Sequence, residues 1–204
     1  MKKKFQIVVE GVADKQFIRQ YVKYLFGEDI PENLLISTEG KDKLKKSSSI
    51  NRIQSMTDDG GINLVIFDAD DDFTIRLNEI NEWKKENNLE FELFLFPNNK
   101  SSGELEDLLE NIINLNNKEI FECWDNYERE LKSIDIPGRT PPPLTTPAKK
   151  TKIYGYLEAL LSGSSKDKEK IKERNRDYTN SLHWNLNADY LEPLKTFLLS
   201  NLLT

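Results

Sequence analysis

Four short apolar runs, each followed by a stretch with helical periodicity, constrain the fold more than any other feature of this chain. The runs lie at residues 5–9, 34–36, 63–67 and 91–96, and each is stopped by a polar residue or a proline. The stretches between them carry apolar residues at the spacing of a helix that buries one face. Strands that alternate with helices indicate a mostly parallel sheet covered by helices on both faces. We therefore predict an α/β fold with about four strands.

The pattern of the remaining residues predicts a helical extension of this sheet. We predict that the whole chain, 1–204, is a single domain. We place the core at residues 5–113 and the extension at 114–204, with a proline-rich loop at 136–147 that cannot be helix or central strand. The predicted helices span residues 14–26, 50–56, 73–87, 103–114, 119–133, 150–161 and 189–203. The apolar members of the third helix are Ile75, Leu77, Ile80 and Trp83.

Composition narrows the possible functions. No apolar run approaches the roughly 18–20 residues that span a bilayer, and the run after the basic N-terminus stops at Glu10, so we expect neither a membrane segment nor a signal peptide. Cys123 and His183 are the only residues of their types, which excludes zinc sites built from several Cys and His side chains. A single cysteine is typical of a reducing cytoplasm.

The charge balance argues against binding nucleic acid through bulk electrostatics alone. The formal net charge is −6, although bound divalent cations would change the local field. The basic stretches are local, at residues 41–46 and 149–152, and the mixed-sign run at 166–176 is typical of a solvated face.

Acidic residues follow the first and third predicted strands directly. Glu10 ends the first run, with Asp14 four residues later, and the third run ends in a loop that contains Asp68, Asp70 and Asp72. The carboxyl ends of parallel strands form the ligand crevice of open α/β sheets. Four aspartates within the five residues 68–72 would repel one another without a cation. Hard carboxylate oxygens suit Mg²⁺ or Mn²⁺.

A third acidic cluster follows the fourth strand. Glu104 and Glu106 lie in the first turn of the helix predicted at 103–114. The simplest interpretation is a helix start capped by Ser101 or Ser102, with acids placed favourably for the helix dipole. The coincidence of three clusters, each directly after a strand, nevertheless predicts an acidic edge on one side of the sheet.

The order of these motifs resembles the topoisomerase–primase (Toprim) domain, a Rossmann-like fold. The form closest to this chain is that of the nucleases of the overcoming-lysogenization-defect (OLD) type and their small stand-alone relatives. The resemblance covers residues 5–113, about half of the chain. It is carried by Glu10–Gly11–x–x–Asp14–x–x–Phe17, Asp68–Ala69–Asp70, Gly103–Glu104–Leu105–Glu106, Gly40–Lys41, and the ending with Trp184 and residues 189–198.

This resemblance implies metal-dependent cleavage of nucleic-acid phosphodiesters with one or two Mg²⁺ or Mn²⁺ ions. By position, Glu10 is the acid of the first strand, helped by Asp14, and Asp68 and Asp70 are the metal ligands of the Asp-x-Asp motif. The remaining implied residues are Asp72 as a further ligand, Glu106 (or Glu104) at a second ion, Lys150 (or Lys149 or Lys152) near the scissile phosphate, and Lys41 as a phosphate contact.

The implied partners are nucleic acid, with DNA favoured over RNA, and a separate protein. OLD-type nucleases carry an ATPase domain, but no phosphate-binding Gly-x-x-x-x-Gly-Lys-Ser/Thr motif occurs here, so any ATPase would be a separate partner. The resemblance also implies a role in defence against phage or mobile DNA.

Two other functions stay open from the sequence. The first is a non-catalytic Toprim-like module that binds a metal, a nucleotide or a protein partner. The second is a phosphatase of the haloacid dehalogenase type, because the third strand leads into an Asp-x-Asp motif. That motif requires Thr or Val two residues after its second Asp, where this chain has Asp72.

Overall fold

A four-stranded, all-parallel sheet forms the centre of the protein in a computed structural model. The structure describes residues 4–38, 46–140, 144–161 and 163–203, without the side chain of Ser47. The strands are Phe5–Val9 (β1), Leu35–Ser37 (β2), Ile62–Asp68 (β3) and Glu92–Phe96 (β4). They lie in the order β2-β1-β3-β4, and every neighbouring pair is parallel. The predicted α/β class and strand number are confirmed.

Among the described residues, the seven predicted helices occur in the predicted order with shifted ends, and a further helix lies in the run predicted as a solvated face. They are Val12–Phe26 (α1), Ser47–Asp58 (α2), Phe73–Glu86 (α3), Leu105–Asn111 (α4), Lys118–Ser133 (α5), Lys149–Leu160 (α6), Ser165–Ile171 (α7) and Glu192–Leu202 (α8). Helix α4 is shorter than predicted and α2 is longer, because apolar periodicity marks a buried face but does not locate the caps. Within the described ranges, no helix combines the length and apolar character needed to cross a membrane.

The side chains of each strand alternate between two hydrophobic cores, one on each face of the sheet. Ile7 and Val9 of β1 pack into the core that contains α1, α4, α6 and α8, whereas Val8 packs into the core that contains α2 and α3. This alternation follows from the two-residue period of a strand. Helices therefore cover both faces, as the sequence predicts.

The buried face of α3 differs from the apolar pattern of its sequence. Ile75, one of its predicted apolar members, is 59% exposed, whereas the neighbouring Arg76 is only 8% exposed. Ile80 and Trp83 do enter the core. The first turn of α3 lies beside the acidic ends of β1 and β3, so the cation at position 76 turns inward and the apolar residue at position 75 faces solvent.

The C-terminal extension packs directly against α1. The side-chain amides of Gln16 and Gln20 both donate to the Arg176 carbonyl, at 3.0 and 2.7 Å, and the Tyr178 N–H donates to the Gln20 side-chain carbonyl oxygen at 2.6 Å. Tyr178 and Trp184 join the same core as α1. The extension and the sheet therefore share one hydrophobic core.

Two sequence predictions fall on residues that the structure does not describe. Lys41 lies in the gap at 39–45, and residues 141–143 are part of the proline-rich loop. The described parts of that loop, 136–140 and 144–147, are neither helix nor strand.

A glycine substitution at the end of α1 tests the cap. Gly27 has a φ of 72°, in the left-handed region that a side chain disfavours. We expect Gly27→Ala to lower the free energy of unfolding by about 1–2 kcal/mol in urea titrations followed by circular dichroism. Gly163→Ala is the control, because no heavy atom lies within 4 Å of its added Cβ and its φ is outside that region. Equal losses in both variants would contradict this assignment.

Candidate active site

The loops after β3 and β4 are joined by hydrogen bonds at the carboxyl edge of the sheet. The Gly103 N–H donates to the Asp70 carbonyl at 2.8 Å, and the Leu105 N–H donates to Asp68 Oδ1 at 3.0 Å. Gly103 has a φ of 137°, and a Cβ there would lie 2.5 Å from Asp107 Oδ2. The Asp68 carboxylate therefore lies at the positive N-terminal end of α4.

The N-terminus of α1 reaches the same edge. Its cap is Gly11, directly after Glu10, and the Gly11 N–H donates to Asp14 Oδ2 at 2.6 Å. Asp14 is thus both a buried helix-capping residue and a member of the acidic group. The Glu10 carbonyl accepts hydrogen bonds from the hydroxyls of Ser37 and Thr38 at 3.2 and 3.3 Å, which tie the end of β1 to that of β2.

Three carboxylates from different elements, Asp14 of α1, Asp68 of β3 and Glu106 of α4, have raised pKa values at this edge. Burial, together with Glu106, Glu10 and Glu173, raises the pKa of Asp14 to about 7, although the Gly11 N–H opposes the shift. Burial, followed by the charges of Asp14, Glu10 and Glu106, raises the pKa of Asp68 well above its usual value.

The third member, Glu106, is the buried acid of the third predicted cluster. Burial raises its pKa, Glu104 and Glu173 add to the shift, and Arg176 opposes it. The structure thus brings Glu10, Asp14, Asp68 and Glu106 together, and we call these four residues the acidic edge.

The other predicted acids lie farther toward solvent and have local structural roles. Asp72 is exposed and caps α3, since its carboxylate accepts the Ile75 N–H at 2.9 Å. Asp70 has a φ of 54° and its side chain is 36% exposed. Glu104 is the N-cap residue of α4. Of the two glutamates that the sequence left open, Glu106 is the one that faces the acidic edge.

Arg76 is a buried cation at this site that the sequence analysis missed. Its guanidinium lies 3.6 Å from Glu10 Oε2 and 3.6 Å from Asp70 Oδ2, and its Nε donates to the Asp68 carbonyl at 3.4 Å. It also packs 6.0 Å from the centroid of the Phe67 ring. The sequence signal for this residue was its position in the first turn of an amphipathic helix, four residues after an acidic loop.

Two further charged residues of the site come from the C-terminal extension. Arg176 is 1% exposed, its Nε donates to the Ile171 carbonyl at 2.9 Å, and its guanidinium lies 4.6 Å from the centroid of the Tyr154 ring. Glu173 acts on the pKa values of both Asp14 and Glu106. The solvated face predicted at 166–176 is therefore wrong at Arg176, because that side chain enters the core beside the acidic edge.

The structure distinguishes the three lysines that the sequence left open. Lys150 forms an ion pair with Glu173, which raises the lysine pKa, and Glu106 adds to this shift. Lys149 pairs with Asp107 at 2.8 Å, and Lys152 pairs with Glu110 and Asp125 at 3.0 and 2.7 Å. Lys150 is therefore the lysine that is coupled to the acidic edge.

The carboxylate oxygens of the acidic edge suit a divalent cation, but in the structure too few of them lie close enough together to bind one. Carboxylate oxygens are the preferred ligands of Mg²⁺ and Mn²⁺, and the mutual repulsion of Asp14, Asp68 and Glu106 would be relieved by positive charge. Across the described ranges, however, no three acidic, histidine or cysteine side chains are grouped closely enough to hold a metal ion. Binding an ion would therefore require side-chain rotation within this edge.

Comparison with known protein families gives a match. The family described as Protein of unknown function (DUF3226) matches residues 4–201 of the chain. No curated protein and no solved structure matches the chain.

Removing the buried guanidinium tests its role as a counter-ion. We expect Arg76→Gln to lower the free energy of unfolding by about 3 kcal/mol, because Glu10 would then be left half-buried without the nearby positive charge. Arg129→Gln removes the same charge from the exposed face of α5 and should change stability by less than about 0.5 kcal/mol. Chemical denaturation at neutral pH measures both, and similar values for the two variants would contradict the assignment.

The raised pKa of Asp14 predicts that stability depends on pH. The folded protein retains a proton on Asp14 that the unfolded chain releases between its ordinary pKa of 3.8 and the folded value of about 7. The resulting stabilisation is complete below the lower value and is lost as the pH rises through the upper one. In EDTA, the free energy of unfolding should therefore fall between about pH 4 and pH 7, by up to about 1.4 kcal/mol per pH unit for each such group.

The matched variants for this measurement are Asp14→Asn and Asp135→Asn. The asparagine side chain cannot ionise, so the pH profile of Asp14→Asn should be flatter than that of the wild type. Asp135 is exposed, and Asp135→Asn should leave the slope unchanged. A wild-type slope in Asp14→Asn would show that another group carries the dependence.

Proposed function

The chain belongs to this DUF3226 family, and we propose that its acidic edge makes it a divalent-cation-dependent nuclease that cleaves phosphodiester bonds in nucleic acid. The observation that carries this proposal is the grouping of Asp14, Asp68 and Glu106 at one edge, where loss of hydration and neighbouring acidic side chains raise the pKa of each. Strongly perturbed acids that come from separate elements and share a charge environment are typical of functional sites.

In this proposal, Glu10, Asp68 and Glu106 would hold a Mg²⁺ or Mn²⁺ ion after rotation of their side chains, with Asp14 and Asp70 as further donors. A bound ion of this kind supplies Lewis-acid activation of water and stabilises the leaving oxygen. Lys150 contributes a positive charge next to Glu173, suited to a phosphate oxygen. Asp72 is the outermost candidate, since its carboxylate already caps α3.

The resemblance to the Toprim domain supports the same proposal. Its Glu-Gly, Asp-x-Asp and Gly-x-x-Glu motifs fall at Glu10, Asp68 and Glu106, in the order and strand contexts that such nucleases use. On this resemblance we further propose a DNA substrate, a separate ATPase or other protein partner, and a role in phage or mobile-DNA defence. The single cysteine supports our proposal of a cytoplasmic location.

Arg76 favours a second candidate function, a non-catalytic module. Its guanidinium already supplies positive charge to Glu10 and Asp70, at 3.6 Å from each carboxylate. An internal cation in this position competes with a metal ion for the same ligands. A module of this kind would bind a metal, a nucleotide or a protein partner without cleaving nucleic acid.

Plasmid cleavage tests the proposed activity. We expect supercoiled plasmid to be nicked or linearised with Mg²⁺ or Mn²⁺ and to stay intact in EDTA. Glu10→Gln, Asp68→Asn and Glu106→Gln should each lower the cleavage rate at least about a hundredfold, because each removes a proposed ligand. Asp135→Asn, which changes the same charge at an exposed distant position, should cleave like the wild type. Undiminished cleavage by Asp68→Asn would contradict the assignment.

Thermal unfolding with added Mn²⁺ separates the two candidates when it is combined with the cleavage assay. Both predict a higher melting temperature of the wild type if the acidic edge binds the ion, and a smaller shift for Asp68→Asn. Stabilisation without cleavage of any nucleic acid would favour the non-catalytic module. Cleavage together with stabilisation would support the nuclease.

A further inference from the structure

A groove with an excess of cationic side chains runs along the outer edge of β2, next to the acidic edge. It consists of two adjoining cavities of about 550 and 360 Å³, which share Ile36, Ser37 and Arg52 in their walls. We call the two together the β2 groove. Because β2 is the outermost strand on this side of the sheet, the groove opens to solvent.

The charge of this groove is opposite to that of the chain. Among the described residues, its walls carry five cations and one acid, Glu32, whereas the whole chain has a formal net charge of −6. The cations are Lys15, Arg19, Lys46, Arg52 and Arg174. Positive side chains concentrated on one surface of an acidic protein produce a local field that attracts polyanions.

Contacts with the fold hold part of this cationic set in place. Glu32 forms ion pairs with both Lys15 and Arg19, and Arg52 donates from Nη2 to the Asn33 carbonyl at 2.6 Å. One carboxylate cannot neutralise the two cations that it contacts. Lys46 and Arg174 are exposed at the groove and add to the surplus.

The β2 groove begins where the acidic edge ends. The Ser37 hydroxyl in its wall donates to the Glu10 carbonyl at 3.2 Å, and Val12, also in the wall, lies two residues after Glu10. On the other side, Arg174 directly follows Glu173, which acts on Asp14 and Glu106. A strand bound in the groove would thus lie beside the carboxylates.

The side chains of the groove indicate which part of a polyanion they contact. No aromatic residue is among the described residues that line it, so there is no surface for stacking bases. Lysine and arginine without aromatic partners are typical of contacts with phosphates, which do not depend on base sequence.

We propose that the β2 groove binds the sugar–phosphate backbone of DNA and places it against the acidic edge. This inference rests on the proposed function for the reaction at that edge, but binding in the groove needs no metal and can be measured without cleavage. It predicts affinity that is independent of base sequence and falls steeply with salt.

Fluorescence anisotropy with a short labelled DNA duplex in EDTA tests the groove. The double variant Lys46→Gln/Arg174→Gln removes its two exposed cations and should weaken binding about tenfold at roughly 0.1 M salt. The slope of log K against log salt should fall in magnitude by about two. The control Arg129→Gln/Lys132→Gln removes the same charge from the exposed face of α5 and should bind within about twofold of the wild type.

The binding results test the groove assignment independently of the proposed cleavage activity. Equal affinity of the groove variant and the α5 control, or no binding by the wild type, would overturn the groove assignment, even if the protein cleaves DNA. Selective loss of binding in the groove variant would support it, even if no cation elicits cleavage. Asp68→Asn should bind the duplex at least as tightly as the wild type in EDTA, because it adds no negative charge beside the groove.

Discussion

The burial of negative charge at the carboxyl ends of parallel strands is the constraint on which the rest of this structure depends. Glu10, Asp14, Asp68 and Glu106 would repel one another strongly if all four were ionised in a buried position. Several features oppose this repulsion: the N-termini of α1 and α4 are directed at the edge, and Arg76 lies within 3.6 Å of Glu10. The raised pKa values of Asp14 and Asp68 indicate that this compensation is incomplete.

The C-terminal extension belongs to the same electrostatic system. It provides Arg176, which opposes the raised pKa of Glu106, and the Lys150–Glu173 ion pair beside it. The extension also packs on α1, where the side-chain amides of Gln16 and Gln20 both donate to the Arg176 carbonyl. Any function of the acidic edge therefore depends on residues of the C-terminal extension. These residues lie outside the proposed Toprim-like core.

Charges of opposite sign are segregated across β2. The acidic edge lies at the ends of β1 and β3, whereas the β2 groove beside it carries most of its charge as lysine and arginine. The overall charge of −6 conceals this separation, because it averages over surfaces with different fields. For a nuclease, the arrangement would attract phosphate to the groove and leave the reacting bond near the carboxylates.

The sequence by itself determined the parallel α/β sheet and the positions of Glu10 and Asp68. Strand and helix periods are local, and an acid directly after a buried strand must lie at the carboxyl edge. Only the tertiary structure decided that Arg76 replaces Ile75 on the buried face of α3, that Arg176 leaves an apparently solvated run for the core, and that Lys150 is the lysine coupled to Glu106. The physical reason is that periodicity records the exposure of each element separately, whereas electrostatic energy depends on distances between charges far apart along the chain.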